Sequence, residues 1–587
     1  MFGLTAAVKN NSSIKSLDKI IINTYNNLKI LSQFNDNEVE IIQTGFENNS
    51  NNSFTDNYIN IYIDGQCYNI NEICSIYNIN CKSFPELILY GYKNNLLDKI
   101  LNKIDGVFHA VIYDQLNKKI LVISDRYGLR PIYIYSKNDD FACGSDIKNL
   151  LQIDYTDSTP DKNSFNTFME FEYILGNNTW FKYIKRLAPA TILEFDIQSK
   201  KQIQRYYWTF AEISKRNISF DDAVDMAYQL FNKAMEKMVT SSEKYALPLS
   251  AGFDSRLIFA SFIENFPDKI PYVYTFGVEN CRDFITAEKI CKIAGIKHNK
   301  YYFENTNWLS KRYNLLYDID CACSIKHLHG IEFMQDIIKH AQISISGFLG
   351  DTIFGDGYLA KIPHTMYDKR SNKDLAESIY GDYAKYSMYD DEYFNIDNPL
   401  PLLWFNRGKN FINMPVLVSI NIEVLRPFFS NEIVEFIASI PNKYLENSKL
   451  YRYLVLKYYP KYFKTIPRNN ENATYKTKDL IYRINKINHK LEDFYRKLTN
   501  RKVIKSYADY EKWICEEPTQ NKIRNLLKYS DSYYSMFTAI DYEKTVLEPH
   551  LQGKVNNTDK ILCIASVEIY FRYINNLLNK SSSNMFR

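Results

Sequence analysis

An apolar run stops abruptly at residue 249. Residues 247 to 260 read LPLSAGFDSRLIFA, so small and hydroxylated side chains give way within six positions to a helix-like segment. Ser250, Gly252 and Ser255 can bring backbone N–H groups and hydroxyls close to a phosphate, and a helix beginning just after them adds donors and a partial positive charge. Asp254 would repel that phosphate unless Mg2+ sat between them. The residue types therefore suit a magnesium–pyrophosphate cradle; a plain strand-to-helix turn with Ser255 as its N-cap is the simpler alternative. The glycine spacing is not G-x-x-x-x-G-K-[ST], which sets the P-loop aside. A second stretch, SISGFLGDTIFGDGY (344 to 358), repeats the pattern: an apolar run ends at Ser346-Gly347, a glycine-rich turn follows, and Asp351 precedes an apolar helix start.

Such loops act on ligands when they leave the carboxyl ends of parallel strands. YALPLS (245 to 250) and YVYTFG (272 to 277) read as strands, alternating with helix-like segments 255 to 266 and 283 to 294. Strand and helix alternating at these lengths argue a parallel sheet. Before it, SFDDAVDMAYQLFNKAMEKMV (219 to 239) has a capping start and a 3.6-residue apolar period, so it should be a helix. The first 210 or so residues are β-rich: YINIYIDG (58 to 65), GVFHAVIYD (106 to 114) and KKILVISD (118 to 125) are bounded by turn signals, residues 46 to 57 read as an Asn-rich loop, and 191 to 208 as a last hairpin. From about 400 onward the chain reads as helical. The expected architecture is α/β and α+β in two domains, 1 to 212 and 213 to 587.

At 587 residues the chain exceeds one ordinary core. A net charge of +4 gives no electrostatic reason to expect nucleic acid. Ten scattered cysteines, no charged leader ahead of an apolar segment and no uninterrupted apolar run near 18 residues point to a cytoplasmic protein without a membrane span. CACSIKHLH (321 to 329) gathers Cys321, Cys323, His327 and His329, which alternation would put on one strand face, but at a spacing unlike zinc ligand pairs. Asp283 and His298 read as helix caps, the basic stretch 483 to 505 as a solvated helix face, and ILCIASVEIYFRYINNLL (561 to 578) as a helix docked on the core.

Ser250 to Ser255 resembles the SGGxDS pyrophosphate loop of the asparagine synthetase family, with Ala251 in place of the first glycine. The second loop resembles that family's SGxGADExFxGY, agreeing at Ser346, Gly347, Gly350, Asp351, Phe354, Gly355, Gly357 and Tyr358. EVLRPFFSNEIVEFIASIP (423 to 441) resembles ExRxPFLDxxxxxxxxxxP, mostly a packing signature, with Ser430 for the usual Asp. IDGQCYN, IDGVFHAVIYD and DRYGLRPIYIY with FACGSDIKNLL resemble the family's glutamine amidotransferase domain. The resemblance implies an Ntn-type amidotransferase-like β-sandwich followed by a PP-loop (adenine-nucleotide α-hydrolase-like) synthetase domain.

It further implies ATP and Mg2+ as cofactors. Asp254 and Asp351 would hold the metal. Leu249, Ser250, Ala251, Gly252, Phe253, Asp254, Ser255, Phe276, Ser346 and Gly347 would surround the nucleotide. A catalytic lysine is expected within 466 to 480, where Arg468 and Lys476 are the candidates and Lys476 is chosen, a solvated charge being the alternative. A carboxylate, small-molecule or peptide, would attack the α-phosphate, and an amine would then displace AMP. The residue after Gly347 is Glu in asparagine synthetases and Tyr in β-lactam synthetases; here it is Phe348, which cannot accept a proton. Glutamine-using members carry Cys at residue 2, where this chain has Phe2, and the arginine expected before IDGQCYN has no clear counterpart. The glutaminase is therefore expected to be inactive and the amine to come from elsewhere. β-Lactam and carbapenam synthetases and lasso-peptide cyclases share that arrangement, as do sugar-modifying members of surface-glycan pathways, which SxGxDSRL with Arg256 most resembles. The main expectation is an amide-forming ligase of natural-product biosynthesis. The alternatives are ammonia-dependent amidation of a sugar and a degenerate synthetase kept as a structural partner. The oligomeric state is open, a homo-oligomer included.

Overall fold

The computed structural model describes residues 3–9, 17–18, 20, 28–46, 52–240, 244–355, 371–394, 400–412, 422–466 and 507–583. Phe2, Gly357, Tyr358, Arg468, Lys476 and the stretch 483 to 505 lie outside them.

The first unit is built from β1 (Gly3–Val8), β2 (Lys29–Asn35), β3 (Val39–Gly45), β4 (Ser53–Asp56), β5 (Ile59–Cys67), β6 (Gly106–Asp114), β7 (Lys119–Ser124), β8 (Tyr133–Lys137), β9 (Asp140–Gly144), β10 (Ile184–Arg186), β11 (Thr191–Asp196) and β12 (Gln202–Tyr206). They form two six-stranded sheets, ordered β10-β8-β9-β1-β3-β2 and β12-β11-β7-β6-β5-β4, and every pairing in them is antiparallel. Period-two alternation puts Leu4, Ala6 and Val8 into one apolar layer with Val111, Ile120 and Val122 of the other sheet. The stretch 46 to 57 is not wholly a loop: Ser53 pairs with Tyr62, and Phe54 and Thr55, both strand formers, lie in a four-residue strand paired to the long β5.

In the second unit α1 (Phe220–Met238) begins at Ser219, whose hydroxyl accepts the Asp222 N–H at 3.2 Å. Next come β13 (Tyr245–Pro248), α2 (Phe253–Asn265), β14 (Tyr272–Gly277), α3 (Arg282–Ala294), β15 (His298–Tyr302), β16 (Ile343–Ile345), the short α4 (Gly350–Phe354), β17 (Glu423–Leu425), α5 (Lys449–Tyr458) and α6 (Thr558–Ser583). The sheet is parallel throughout, in the order β15-β14-β13-β16-β17. The chain moves outward from β13 through β14 to β15 and then returns to the other side of β13. That reversal opens a crevice at the carboxyl ends of β13 and β16.

Several expectations are corrected. The helix after β13 starts at Phe253, with Gly252 as N-cap, so Asp254 and Ser255 lie in its first turn. Part of the supposed packing signature, Glu423–Leu425, is an edge strand paired with β16. CACSIKHLH is not a strand: Asp320 and Cys321 have φ of 51° and 47°, and Ile325–Leu328 is a 3-10 turn. Within α6, Thr558–Asn579 is long and apolar enough to cross a membrane by length and composition, but 67% of that window is buried inside the protein, where Ile561, Leu562 and Ile564 join the core.

The two units are stitched by buried polar contacts. Lys148 is fully buried, 3.0 Å from both Asp146 and Asp320. Trp180 Nε1 donates to the Cys321 carbonyl at 3.1 Å, and Ser430 Oγ donates to Asp105 Oδ2 at 2.8 Å.

Candidate active site

The first loop is braced from its strand. Leu249 N–H donates to the Tyr274 carbonyl at 2.8 Å, extending the β13–β14 pairing by one residue. Beyond it the chain folds on itself. Ser250 N–H donates to Ser255 Oγ at 3.0 Å, Gly252 N–H to Ser250 Oγ at 3.1 Å, and Ala251 N–H to Asp283 Oδ1 at 2.7 Å. The amides of Ser250, Ala251 and Gly252 are thus engaged within the protein, contrary to the expectation that the loop amides meet the phosphate. What the crevice presents instead is the Ser250 and Ser255 hydroxyls, 2.9 Å apart, and the N-terminal turn of α2, which starts without a side-chain cap.

Ala251 is 1% exposed and does not line the cavity. Its carbonyl accepts Arg256 at 2.9 Å; Arg256, itself fully buried, also donates to the Ile466 carbonyl at 3.1 Å and lies 5.2 Å above the Phe463 ring. Arg256 therefore anchors the loop from behind.

The second loop presses onto the first. A Cβ on Gly347 would lie 2.6 Å from the Asp254 carbonyl carbon and 2.8 Å from Ser255 N. One on Gly350 would lie 2.6 Å from the Phe428 ring and 2.9 Å from Asp254 Cγ. Glycine at 347 lets two backbones, about 90 residues apart in sequence, touch, and glycine at 350 lets the Phe428 ring and the Asp254 carboxylate close in. The Asp254 carboxylate consequently sits against Gly350, with Asp351 the next residue. From α5, Tyr451 donates its hydroxyl to Asp254 Oδ1 at 3.1 Å, its ring packed 5.2 Å from Phe253 and 5.5 Å from Phe354.

Between the loops lies a cavity of about 360 Å3. Leu249, Ser250, Gly252, Phe253, Asp254, Ser255, Phe276, Ser346, Gly347 and Asp351 line it, so every sequence-predicted residue except Ala251 and Lys476 is brought there; Lys476 lies outside the described residues. Pro248, Tyr274, Thr275, Asp283 and the 38%-exposed Phe348 complete the wall. Asp283 is not a cap: α3 is capped at Cys281 without a side-chain bond, and Asp283 instead holds the first loop while burial pushes its carboxyl above the usual range. His298 opens β15 rather than capping a helix. Burial lowers it to about 4, and its Nε2 lies 2.7 Å from Thr275 Oγ1, which donates to the Leu249 carbonyl at 2.6 Å.

The donor set suits a hard cation. Asp254 and Asp351 line the cavity together with the Ser250 and Ser255 hydroxyls, Asp283 being engaged by the first loop, and Mg2+ is commonly held by one or two carboxylates with substrate phosphates supplying the rest. Cys321 and Cys323 are buried with thiols pushed far up, His327 Nε2 is 2.7 Å from Glu172 Oε2, and His329 Nδ1 is 3.1 Å from the Tyr507 hydroxyl. Among the described residues no group of three or more His, Cys, Asp or Glu is arranged to hold a metal.

Comparison with known proteins agrees with this two-part layout. Residues 45–208 match a glutamine amidotransferase domain and residues 226–395 match asparagine synthase. The asparagine synthetase [glutamine-hydrolyzing] of Rattus norvegicus is 22% identical over 309 residues, which is 50% of this chain and 54% of that protein. Asparagine synthetase [glutamine-hydrolyzing] 3 of Bacillus subtilis is 23% identical over 442 residues, 66% of this chain and 70% of that protein. The match thus spans about half the length of the mammalian relatives. Among solved structures, the glutamine phosphoribosylpyrophosphate amidotransferase from B. subtilis, complexed with ADP and GMP, is 10% identical, covering 42% of this chain and 60% of its own, with a TM-score of 0.24, a likeness too low to carry an argument. With an amidotransferase-like sandwich followed by two glycine loops on a parallel sheet, and both halves matched in that order, the chain belongs to the asparagine synthetase family.

Proposed function

We propose that the second unit is an ATP-dependent carbon–nitrogen ligase that activates a substrate carboxylate by adenylation, releasing pyrophosphate, and then lets an amine displace AMP. The contact of the two loops carries this reading: Gly347 and Gly350 bring Asp351 beside the Asp254 carboxylate at the mouth of a cavity that Ser250, Ser255 and the start of α2 also face.

In this reading the Ser250 and Ser255 hydroxyls and the α2 N-terminus take the departing pyrophosphate, where preorganised donors stabilise developing charge. Asp254 and Asp351 would hold Mg2+, which when bound would neutralise phosphate charge. Tyr451 fixes the Asp254 carboxylate, while Asp283 and Arg256 keep the loop closed from either side. Leu249 and Phe276 offer apolar surface to the adenine. Phe348 presents a half-exposed ring with no acid–base capacity, which favours a substrate that brings its own nucleophilic amine.

The amine is proposed not to derive from glutamine hydrolysed in this chain. Support comes from Phe2, which offers no nucleophilic atom where the glutamine-using members carry Cys. A ring-forming or peptide-cyclising ligase is the reading preferred within the class, and amidation of a sugar by free ammonia the second.

Exchange of labelled pyrophosphate into ATP, driven by fractions of a cell extract, tests the proposal. Exchange that appears with one fraction and is lost in Asp254→Ala supports it. Absence of both exchange and Mg-ATP binding refutes it in favour of a degenerate, structural role.

A further inference from the structure

A second cavity, about 760 Å3, lies along the edge of the sandwich, where β8 and β10 of one sheet, β11 and β12 of the other, and residues 385–390 converge. It shares no lining residue with the cavity between the glycine loops. Its walls carry Lys182, Lys185, Arg186 and Lys385 against a single carboxylate, Asp390, which already accepts the Tyr206 hydroxyl at 2.8 Å.

Among the described residues most of this charge has no ion-pair partner, Lys185 with Asp161 being the exception. Arg186 donates to the carbonyls of Gly128 at 2.9 Å and Lys409 at 3.4 Å, but meets no carboxylate among the described residues. Behind it Lys409 is only 8% exposed, and its ammonium donates to the Gly176 carbonyl and, at 3.2 Å, to Asn177 Oδ1, a residue of the cavity wall. Burial and the neighbouring Arg186 push Lys409 well below the ordinary lysine range. Lys182 and Lys385 lie over the Tyr183 and Tyr386 rings, again without an ion pair among the described residues; Lys185 reaches Asp161 at 3.7 Å. A guanidinium does not release its proton in a protein, so at Arg186, where the buried Asp125 acts on the charge from beyond ion-pair distance, a further anion would relieve the cost of burial. Its planar fork matches a carboxylate or phosphate, and Tyr183, Tyr206, Tyr386 and Tyr389 line the same groove, where a body attached to the anion would lie.

We propose that this groove binds a small molecule bearing an oxyanion, phosphate or carboxylate, with Arg186, Lys182 and Lys385 on the charged group. The site is separate from the nucleotide cavity and does not depend on the ligase reading.

The test is calorimetric titration of the full chain with inorganic phosphate, glucose 6-phosphate and succinate at constant ionic strength. It is run on the parent, on Arg186→Gln, on the exposed pair Lys182→Ala/Lys385→Ala, and on Gly347→Ala, whose lesion lies in the other cavity. The expected result is binding that weakens by about tenfold or more in both groove variants and is retained in Gly347→Ala. A preference for the phosphates over succinate would identify the oxyanion, and a gain for glucose 6-phosphate over phosphate would place its ring on the tyrosines. The proposal is overturned if no probe binds, if the groove variants give the parent isotherm, or if only Gly347→Ala loses binding.

Discussion

Replacing Gly347 by alanine adds one methyl group at the point where the two loops meet. That carbon would lie 2.6 Å from the Asp254 carbonyl carbon, 2.8 Å from Ser255 N and 2.9 Å from the Asp254 carbonyl oxygen. Carbon–carbon contacts settle near 3.5 Å or more, so the loops must separate by about 1 Å. No flexible side chain can absorb this, because the three nearest atoms are all backbone, and they belong to a helix start tied down through Asp283 and Arg256. Overpacking of this kind costs about 1–3 kcal/mol of stability. The larger effect is on the site: displacing Asp351 and Ser346 by about 1 Å relative to Asp254 and Ser255 should cost on the order of a hundredfold in any reaction needing both. Mg-ATP affinity by calorimetry, read beside a urea unfolding curve, separates the two effects. The variant should stay folded, with a lowered midpoint, and lose most of its Mg-ATP binding. Unchanged affinity together with an unchanged midpoint would refute the claim that the loops form one site by backbone contact.

Tyr451→Phe removes one hydrogen bond to Asp254 from an otherwise apolar setting, worth about 0.5–1.5 kcal/mol, so Mg-ATP should bind roughly two- to tenfold more weakly while circular dichroism stays the same. Ser430→Ala strips a donor from the buried Asp105 carboxylate across the seam between the units; a loss of about 1–3 kcal/mol should appear in the urea midpoint with no change at the nucleotide cavity. His109, buried beside Asp64, Arg130 and Ser145, is lowered to about 4, chiefly by burial, against 6.5 when unfolded. Because the folded value is the lower one, the unfolded chain takes up the proton first. Stability should therefore be fully present above pH 6.5 and fall by about 3 kcal/mol toward pH 4, a slope that His109→Gln should flatten in urea curves across that range.

The sequence made the frame readable because the frame is local. Strands such as 106 to 114 and 272 to 277 are short, mostly apolar runs between turn signals, Ser219 caps its own helix, and a run of small residues after an apolar strand announces a turn that something must fit. What escaped depends on partners far along the chain. Asp283 looks like an ordinary first-turn acid, and only the fold brings it to Ala251, 32 residues earlier. Tyr451 reaches Asp254 across 197 residues from a helix with no motif at all. The start of α2 was misplaced because Ser255 turns back onto Ser250 instead of capping. Three residues, Glu423 to Leu425, are too few to show a period, so the last strand of the sheet was hidden inside an apparent packing motif.

The seam between the units carries a consequence for how such a chain can change over time. Lys148 loses one of the two carboxylates 3.0 Å from it once Asp320 is gone, and Asp105 loses buried donors if Ser430, Asn431 and Lys237 are taken away. Trimming the sandwich away would expose both halves of these pairs and the apolar ground around them. Whatever chemistry it performs, the amino-terminal unit is thus held by its neighbour's foundations, and inheritance can erode its reactive groups more readily than it can discard its walls.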